Sequence, residues 1–357
     1  MDREGMDEAK LGEGNPAQPV RRVTIRDVAR LANTSISTVS AAFNGSPGVA
    51  DHTRTRIFAA ANRLGWRPDR RASHLRRNRT TMVGVVYEVE QSFQSGLLDH
   101  LYLAARGHDL EIFLAGATEH NSELTCVRLL LAERVNAVIL TGSNLTDEQF
   151  SEVARQVPTL SLCRDVDAPG VDVIKTDGIR GVAEAVNYLH SLGHQRIAHV
   201  SGGTIPMGPE RERGYRQAMS RLGLSRLLQV WSGGDTPAAG VMAAEQFLAL
   251  APEDRPTAIT CFNDMSAHAL IRRLHQAGLD VPGDVSVVGF DNAPISRDAL
   301  LPLTTVAQPV EDMTVRALQL LADRIQSGLL VTPGNEYRAS LDSELIIRST
   351  TGPCPDK

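Results

Sequence analysis

From position 82 onward this 357-residue chain alternates short apolar runs with stretches of helical periodicity, and nothing else restricts its folding as much. "MVGVVY", "LEIFLA", "NAVILTG", "PTLSLC", "DVIKTD", "RIAHVSGG", "TAITCFND" and "VSVVGFD" read as buried strands. The spacing predicts helices in the intervals, over about 93–106, 121–134, 147–156, 178–192, 210–222, 238–250, 265–278 and 310–327. Strands alternating with helices imply parallel sheets covered on both faces. Eight strands and a return helix suit two doubly wound halves. In such sheets ligands bind beyond the carboxyl ends of the strands, so the residues after each run are the ones to inspect.

Those residues include Phe93 after the first run, Asp177 after "VIKT", Arg211 in "PERERGY", Asn263 and Asp264 after "AITCF", and Asp291 after "VVGF". Carboxylates, an amide, a guanidinium and an aromatic face can together hold the hydroxyls and the apolar face of a small polar molecule. Each alone also fits a helix cap or a surface group. Asp264, opening "DMSAHALIRRL", reads better as a cap, whereas Arg211 and Asp291 read better as ligand groups.

Charge divides the chain. The net formal charge is -5, but residues 21–81 hold thirteen arginines, no lysine and three aspartates, a balance of +10. Residues 82–357 carry -12. A compact segment of that positive density suits a polyanion, and the acidic remainder does not, so two different partners are expected.

The basic segment opens with "VTIRDVARLANTSISTVSAAFNG" at 23–45. Thr24 and Asp27 read as an N-cap and its carboxylate at N3, while Ile25, Val28, Ala29 and Ala32 form one helical face. Ser35 caps a second helix, with Val39, Ala42 and Phe43 inward and Asn44-Gly45 at its end. Two short helices on a tight turn make a helix-turn-helix, and a third from about 51 to 64 closes the core. Placed in a major groove, the second helix would bring Ile36, Ser37 and Ala41 to base edges and its hydroxyls to phosphates. An ordinary capped helical hairpin is the alternative, disfavoured by the charge. In the following "RPDRRASHLRRNRTT", Leu75 stands alone among Arg70, Arg71, Arg76, Arg77 and Arg79. A lone leucine there cannot form a core but can wedge between base steps in a minor groove. By itself such a run reads as a solvated linker; its position after a helix-turn-helix reverses that.

Several classes are disfavoured. Cys126, Cys163, Cys261 and Cys354 form no C-x-x-C pair, which suggests reduced thiols in the cytoplasm. Neither a signal-peptide h-region nor an apolar run of membrane-spanning length is visible, so no membrane association is expected. No dinucleotide or P-loop glycine pattern, H-E-x-x-H or nucleophile elbow occurs, so neither catalysis, a metal nor a cofactor is implied. A solute-binding protein of a transport system is the alternative function. It would need an export signal and have no use for residues 22–81.

Taken in order, "VTIRDVARLANTSISTVSAAFNG", "ANRLGWRPDRRASHLRRNRT", "YLHSLGHQRIAHVSGG" and "VPGDVSVVGFDNAPISRDALLPLTTVAQP" resemble the lactose-repressor (LacI) family of bacterial transcription regulators over about 22–350. The resemblance implies a helix-turn-helix headpiece with a hinge helix, followed by a periplasmic-binding-protein-like α/β core of two doubly wound parallel-sheet subdomains. It implies a homodimer that binds a near-palindromic duplex operator, most often as a repressor, under control of a small polar effector such as a sugar. Carried onto this chain, it places Ile36, Ser37 and Ala41 at base-reading positions and Thr24, Ser35, Thr38, Ser40 and Asn44 at phosphates. Leu75 matches the hinge wedge, Arg76 its basic neighbour, and Phe93, Gln94, Asp177, Arg211, Asn263 and Asp291 the effector pocket. Ala41 stands where many members carry a longer polar reader, Gln94 where an aromatic is usual, and "GGDTPAAG" is one residue short with Thr236 in an aromatic's place. The expected organisation is a disordered extension (1–21), headpiece (22–67), hinge and linker (68–81), core (82–352) and tail (353–357). Within the core, subdomain one is expected over 82–188 and 309–336, and subdomain two over 189–308 and 337–352. No heptad pattern follows 350, which favours dimers.

Overall fold

The computed structural model describes residues 23–43, 46, 48–66 and 81–355. The chain divides into two compact units, one up to Arg79 and one from Thr80. The expected extension 1–21, the expected hinge and linker 68–81 except for Thr81, and the wedge residue Leu75 lie outside the described residues.

In the first unit, α1 (Ile25–Leu31), α2 (Ile36–Phe43) and α3 (Asp51–Leu64) surround one small core of Val28, Ala29, Ala32, Val39, Ala42, Val49, Ile57, Ala60 and Ala61. α1 begins where Asp27 Oδ2 accepts bonds from the Thr24 amide (3.0 Å) and hydroxyl (2.7 Å). The turn to α2 passes through Asn33 at φ 46°, and α2 starts where the Thr38 amide donates to Ser35 Oγ at 3.0 Å. Arg54 of α3 donates to the carbonyl of Ala42 (2.8 Å), an acceptor left over at the end of α2, and to that of Ser46 beyond the helix (3.0 Å). Phe43 meets Phe58 and Trp66 edge-on.

The second unit contains two six-stranded sheets. β1 (Thr81–Glu88), β2 (Leu110–Ala117), β3 (Ala137–Thr141), β4 (Thr159–Leu162), β5 (Val171–Thr176) and β11 (Arg338–Leu341) form the first, ordered β11-β5-β4-β3-β1-β2 and parallel throughout. β6 (Ile197–Val200), β7 (Gln229–Trp231), β8 (Ala258–Cys261), β9 (Ser286–Asp291), β10 (Thr305–Ala307) and β12 (Glu344–Ile346) form the second, ordered β12-β10-β9-β8-β6-β7, with β12 alone antiparallel. All eight predicted strands are present. The four missed ones, β7, β10, β11 and β12, are three or four residues long.

Helices cover both faces of each sheet: α4 (Ser92–Ala105), α5 (Glu123–Ala132), α6 (Asp147–Ala154) and α11 (Val310–Ser327) the first, and α7 (Gly178–Ser191), α8 (Gly208–Arg221), α9 (Pro237–Ala249) and α10 (Asp264–Gln276) the second. Both expected outer boundaries of the subdomains need correction. α7 buries Val182, Ala185, Val186 and Leu189 against Ile197, Val288 and Phe290, so the chain crosses after β5, not at 188. It returns after β11, which pairs with β5, so the last crossing lies at 342–343 and not at 336. In each case the apolar surface buried, or the ladder completed, belongs to the other half.

α9 and α10 approach closely at Gly240, where an added Cβ would stand 2.0 Å from the Ser266 carbonyl oxygen and 2.9 Å from the Leu270 amide. Backbone atoms cannot yield as a side chain can. Gly240→Ala is therefore expected to lower stability by about 1–3 kcal/mol, visible as a lower thermal midpoint, and an unchanged midpoint would contradict this contact.

His199 on β6 is fully buried, stacks on Tyr215 and shares a 3.0 Å bond with Thr260 Oγ1. Burial, followed by repulsion from Arg211 and Arg216, lowers its pKa from 6.5 to about 3. Between these values the unfolded chain takes up a proton that the folded one refuses, so stability falls as pH drops from about 6.5 to 3. His199→Gln is expected to flatten that decline by an amount on the order of a few kcal/mol in urea titrations at pH 7 and pH 4.

Candidate functional site

The carboxyl ends of the two sheets face one another across a narrow cleft. Glu88, Gln91, Phe93, Gln94, Thr141 and Asn144 line it from the first half. Met207, Arg211, Asp235, Phe262, Asn263 and Asp291 line it from the second, with Gln308 at the crossing between halves.

Arg211 sits in the first turn of α8 and is only 5% exposed. Its guanidinium lies 3.6 Å from the Phe290 ring centroid and 4.5 Å from that of Phe262, and it donates to the Phe262 carbonyl and to Asp291 Oδ1 (3.2 Å). Asp291 ends β9 at φ 109°, a backbone shape that aims its side chain off the strand end. Its Oδ1 also accepts from Gln308 Nε2 at 2.7 Å, and Oδ2 takes no hydrogen bond from the described residues. Burial pushes the Asp291 carboxyl up despite the pull of Arg211, and burial pushes the Arg211 guanidinium down. Both shifts follow from a charged pair held in low dielectric.

The other predicted cleft residues divide. Phe93, in the first turn of α4, lines the cleft as expected. Gln94 lines it too, but its Oε1 accepts from the Glu88 amide (2.9 Å) and Thr141 Oγ1 (2.6 Å), so it ties the ends of β1 and β3 together. Asn263 lines the cleft and caps α10, accepting from the Ser266 amide at 2.9 Å while its Nδ2 donates to the Asp235 carbonyl at 2.9 Å. The cap role expected of Asp264 thus belongs to Asn263. Asp264 is fully buried instead, accepting from the Ala293 amide (2.7 Å) and Thr305 Oγ1 (2.5 Å), where it binds the β9–β10 connection to α10.

Asp177 is a correction. It does not line the cleft, because its Oδ1 accepts from the Arg180 amide at 2.9 Å and caps α7.

Glu88, Gln91, Asn144, Asp235 and Gln308 were not anticipated. Glu88 directly follows "MVGVVY" and answers to the strand-end rule; the others lie in loops whose convergence has no local signal. Glu123 accepts from Ser143 Oγ and from the Asn144 amide (2.8 Å), which fixes the loop carrying Asn144. Gln91 Nε2 donates to Asp235 Oδ2 at 2.7 Å, a direct bond across the cleft. A second crosses from β5, where Lys175 Nζ meets both Glu210 carboxylate oxygens at 2.8 Å. Such bonds favour the approach of the two halves, and a ligand gripped by both would do the same.

In the first unit, Thr24, Ser35, Ile36 and Ser37 are exposed, Ile36 at 44%. Thr38, Ser40 and Ala41 are half-buried, and Ala41 packs against the small core. Ser35 Oγ shares 2.7 Å bonds with the hydroxyls of Ser37 and Thr38, which groups three hydroxyls at the start of α2. Asn44, Leu75 and Arg76 lie outside the described residues.

A helix-turn-helix in one unit and a polar cleft between two doubly wound sheets in the other define a ligand-regulated DNA-binding protein. Comparison with known proteins gives the family. Residues 24–69 match "Bacterial regulatory proteins, lacI family", and residues 186–351 match "Periplasmic binding protein-like domain". The HTH-type transcriptional repressor CytR of Escherichia coli K12 is 32% identical over 338 residues, spanning 93% of this chain and 97% of its own length. Among solved structures, a LacI transcriptional regulator from a Rhodococcus species is 33% identical, with a TM-score of 0.73, over 77% of this chain and all of that one. The lac repressor dimer bound to operator and the anti-inducer ONPF is 26% identical, with a TM-score of 0.74, over 93% of this chain and all of that one. The chain belongs to the LacI family of bacterial regulatory proteins. It is a sequence-specific DNA-binding transcriptional regulator, not a transport component. No helix among the described residues is long and apolar enough to cross a membrane.

Proposed function

We propose that this regulator is a cytoplasmic, non-catalytic repressor that binds a near-palindromic operator as a homodimer and changes its affinity when a small polar effector closes the cleft. The observation that carries this reading is the cleft itself, whose polar groups come from both halves and already meet across it through Gln91 and Asp235. The lac repressor structure with operator and anti-inducer supports the same pairing of ligands.

At the operator, Ile36, Ser37 and Ala41 read base edges, Ala41 by apolar contact with a thymine methyl. Thr24, Ser35, Thr38, Ser40 and Asn44 hold phosphates, Leu75 wedges the minor groove and Arg76 neutralises its flank. In the cleft, Arg211, Asp291 and Asn263 hold the effector's polar groups, Phe93 covers an apolar face, and Gln94 shapes the floor without giving up its oxygen. An effector that prefers one arrangement of the halves shifts DNA affinity by that preference.

Selection of bound duplexes from a random pool, with and without candidate metabolites, tests the reading. A palindromic consensus whose recovery changes with a metabolite is expected; no preference over random duplex would overturn it. Leu75→Ala is expected to weaken consensus binding at least tenfold and random-duplex binding far less, as read by competition titration, since a wedge acts only on a fitted site.

A further inference from the structure

The cleft holds an excess of negative charge that its own residues leave uncompensated. Three carboxylates line it, those of Glu88, Asp235 and Asp291, against the single guanidinium of Arg211. Asp291 is matched by Arg211 at 3.2 Å. The remaining two come from opposite halves, Glu88 at the end of β1 and Asp235 in the loop after β7. Asp235 receives no charged donor, only the neutral amide of Gln91 and a backbone N–H, and the Glu88 carboxylate has no hydrogen bond or ion pair among the described residues. Lys175, the cation of the neighbouring wall, is committed to Glu210 and Asp165 and does not line the cleft.

We propose that the effector is a net cation whose positively charged nitrogen lies between the Glu88 and Asp235 carboxylates, while its hydroxyls meet Asn144, Asp291 and Gln308. This rests on the reading of the cleft as the effector site. Hydroxyls alone can fill the lone pairs of two carboxylates but leave both charges in place, and closure removes the water that screens them. An ammonium or amidinium fills the same lone pairs and cancels the repulsion, through charge-assisted bonds stronger than neutral ones. It would hold the halves together through an attraction to each. Burial, and then the neighbouring Asp235, raises the Glu88 pKa, and burial raises that of Asp235, as expected where negative charge is costly without a counter-ion. A metal ion is a poorer match, since no group of three or more His, Cys, Asp or Glu among the described residues is placed to hold one.

The test uses the full-length protein and a deproteinised bacterial metabolite extract, split at pH 7 on a strong cation exchanger, with EDTA in both arms. The retained fraction is expected to raise the thermal midpoint by several degrees and the flow-through to leave it unchanged. Glu88→Gln and Asp235→Asn are each expected to require at least tenfold more of the retained fraction for the same shift. Stabilisation by the flow-through alone, or by the retained fraction equally in both variants, overturns the cationic effector and leaves the cleft as an effector site. Stabilisation by neither fraction overturns the effector reading itself, and this inference with it.

Discussion

Arg211→Met is expected to remove about 3–5 kcal/mol of unfolding free energy, because it leaves the Asp291 carboxylate buried without its counter-charge. Asp291 is 8% exposed, and its other partner, Gln308, is neutral. The methionine keeps apolar contact with Phe262 and Phe290, so the loss reports charge more than volume. Adding Asp291→Asn is expected to recover most of it, since the double variant buries no charge at the site. Urea unfolding of the four proteins measures the coupling directly. A loss below about 1 kcal/mol for Arg211→Met would mean that the pair is not ionic in the folded protein.

The second large effect is on DNA binding. Residues 21–81 carry thirteen arginines, and a dimer would present two such segments to one duplex. If 6–10 phosphates are neutralised, operator affinity falls about 10³- to 10⁵-fold between 50 and 200 mM salt through counterion release. Titrations at four or more salt concentrations give the slope. A flat line would remove the basic segment from the interface, whatever the affinity at one concentration. Arg54 is not expected to add to the slope in proportion to its charge, because its guanidinium is already spent on the carbonyls of Ala42 and Ser46.

How legible the fold was depended on how local its cause is. β3, β8 and β9 are buried throughout and β1 over its four central residues, and a window of six residues is enough to find them. β10, with three residues, is a strand only because β9 and β12 offer ladders on either side of it. β11 reads "RASL", with half-exposed side chains, and exists because β5 has a free edge. The last crossing follows β11, whose short sequence carries no strand signal, and the first precedes α7, whose apolar face belongs to the second sheet.

The cleft behaved in the same way. Arg211, Asn263 and Asp291 line the cleft, as the strand-end rule predicts for a doubly wound sheet. Asp177 satisfies the same rule and still misses, because an aspartate ahead of a helix finds the helix amides sooner than it finds a ligand. The same competition, three residues from one another in sequence, occupies Asn263, whose amide nevertheless reaches the Asp235 carbonyl on the same wall of the cleft.

From the order of its residues alone, this chain was committed to a basic three-helix headpiece, an acidic core of two parallel sheets, and membership of one regulator family. Those properties are written in periodicity, caps and charge, which act between near neighbours. Tertiary structure alone decided that Glu88 and Asp235 share a mouth, that Gln308 leans on Asp291, and that Asp264 is an internal fastening. Strand order brings such groups together from positions far apart, and competition for a limited number of donors then decides which polar atoms remain free to meet a ligand.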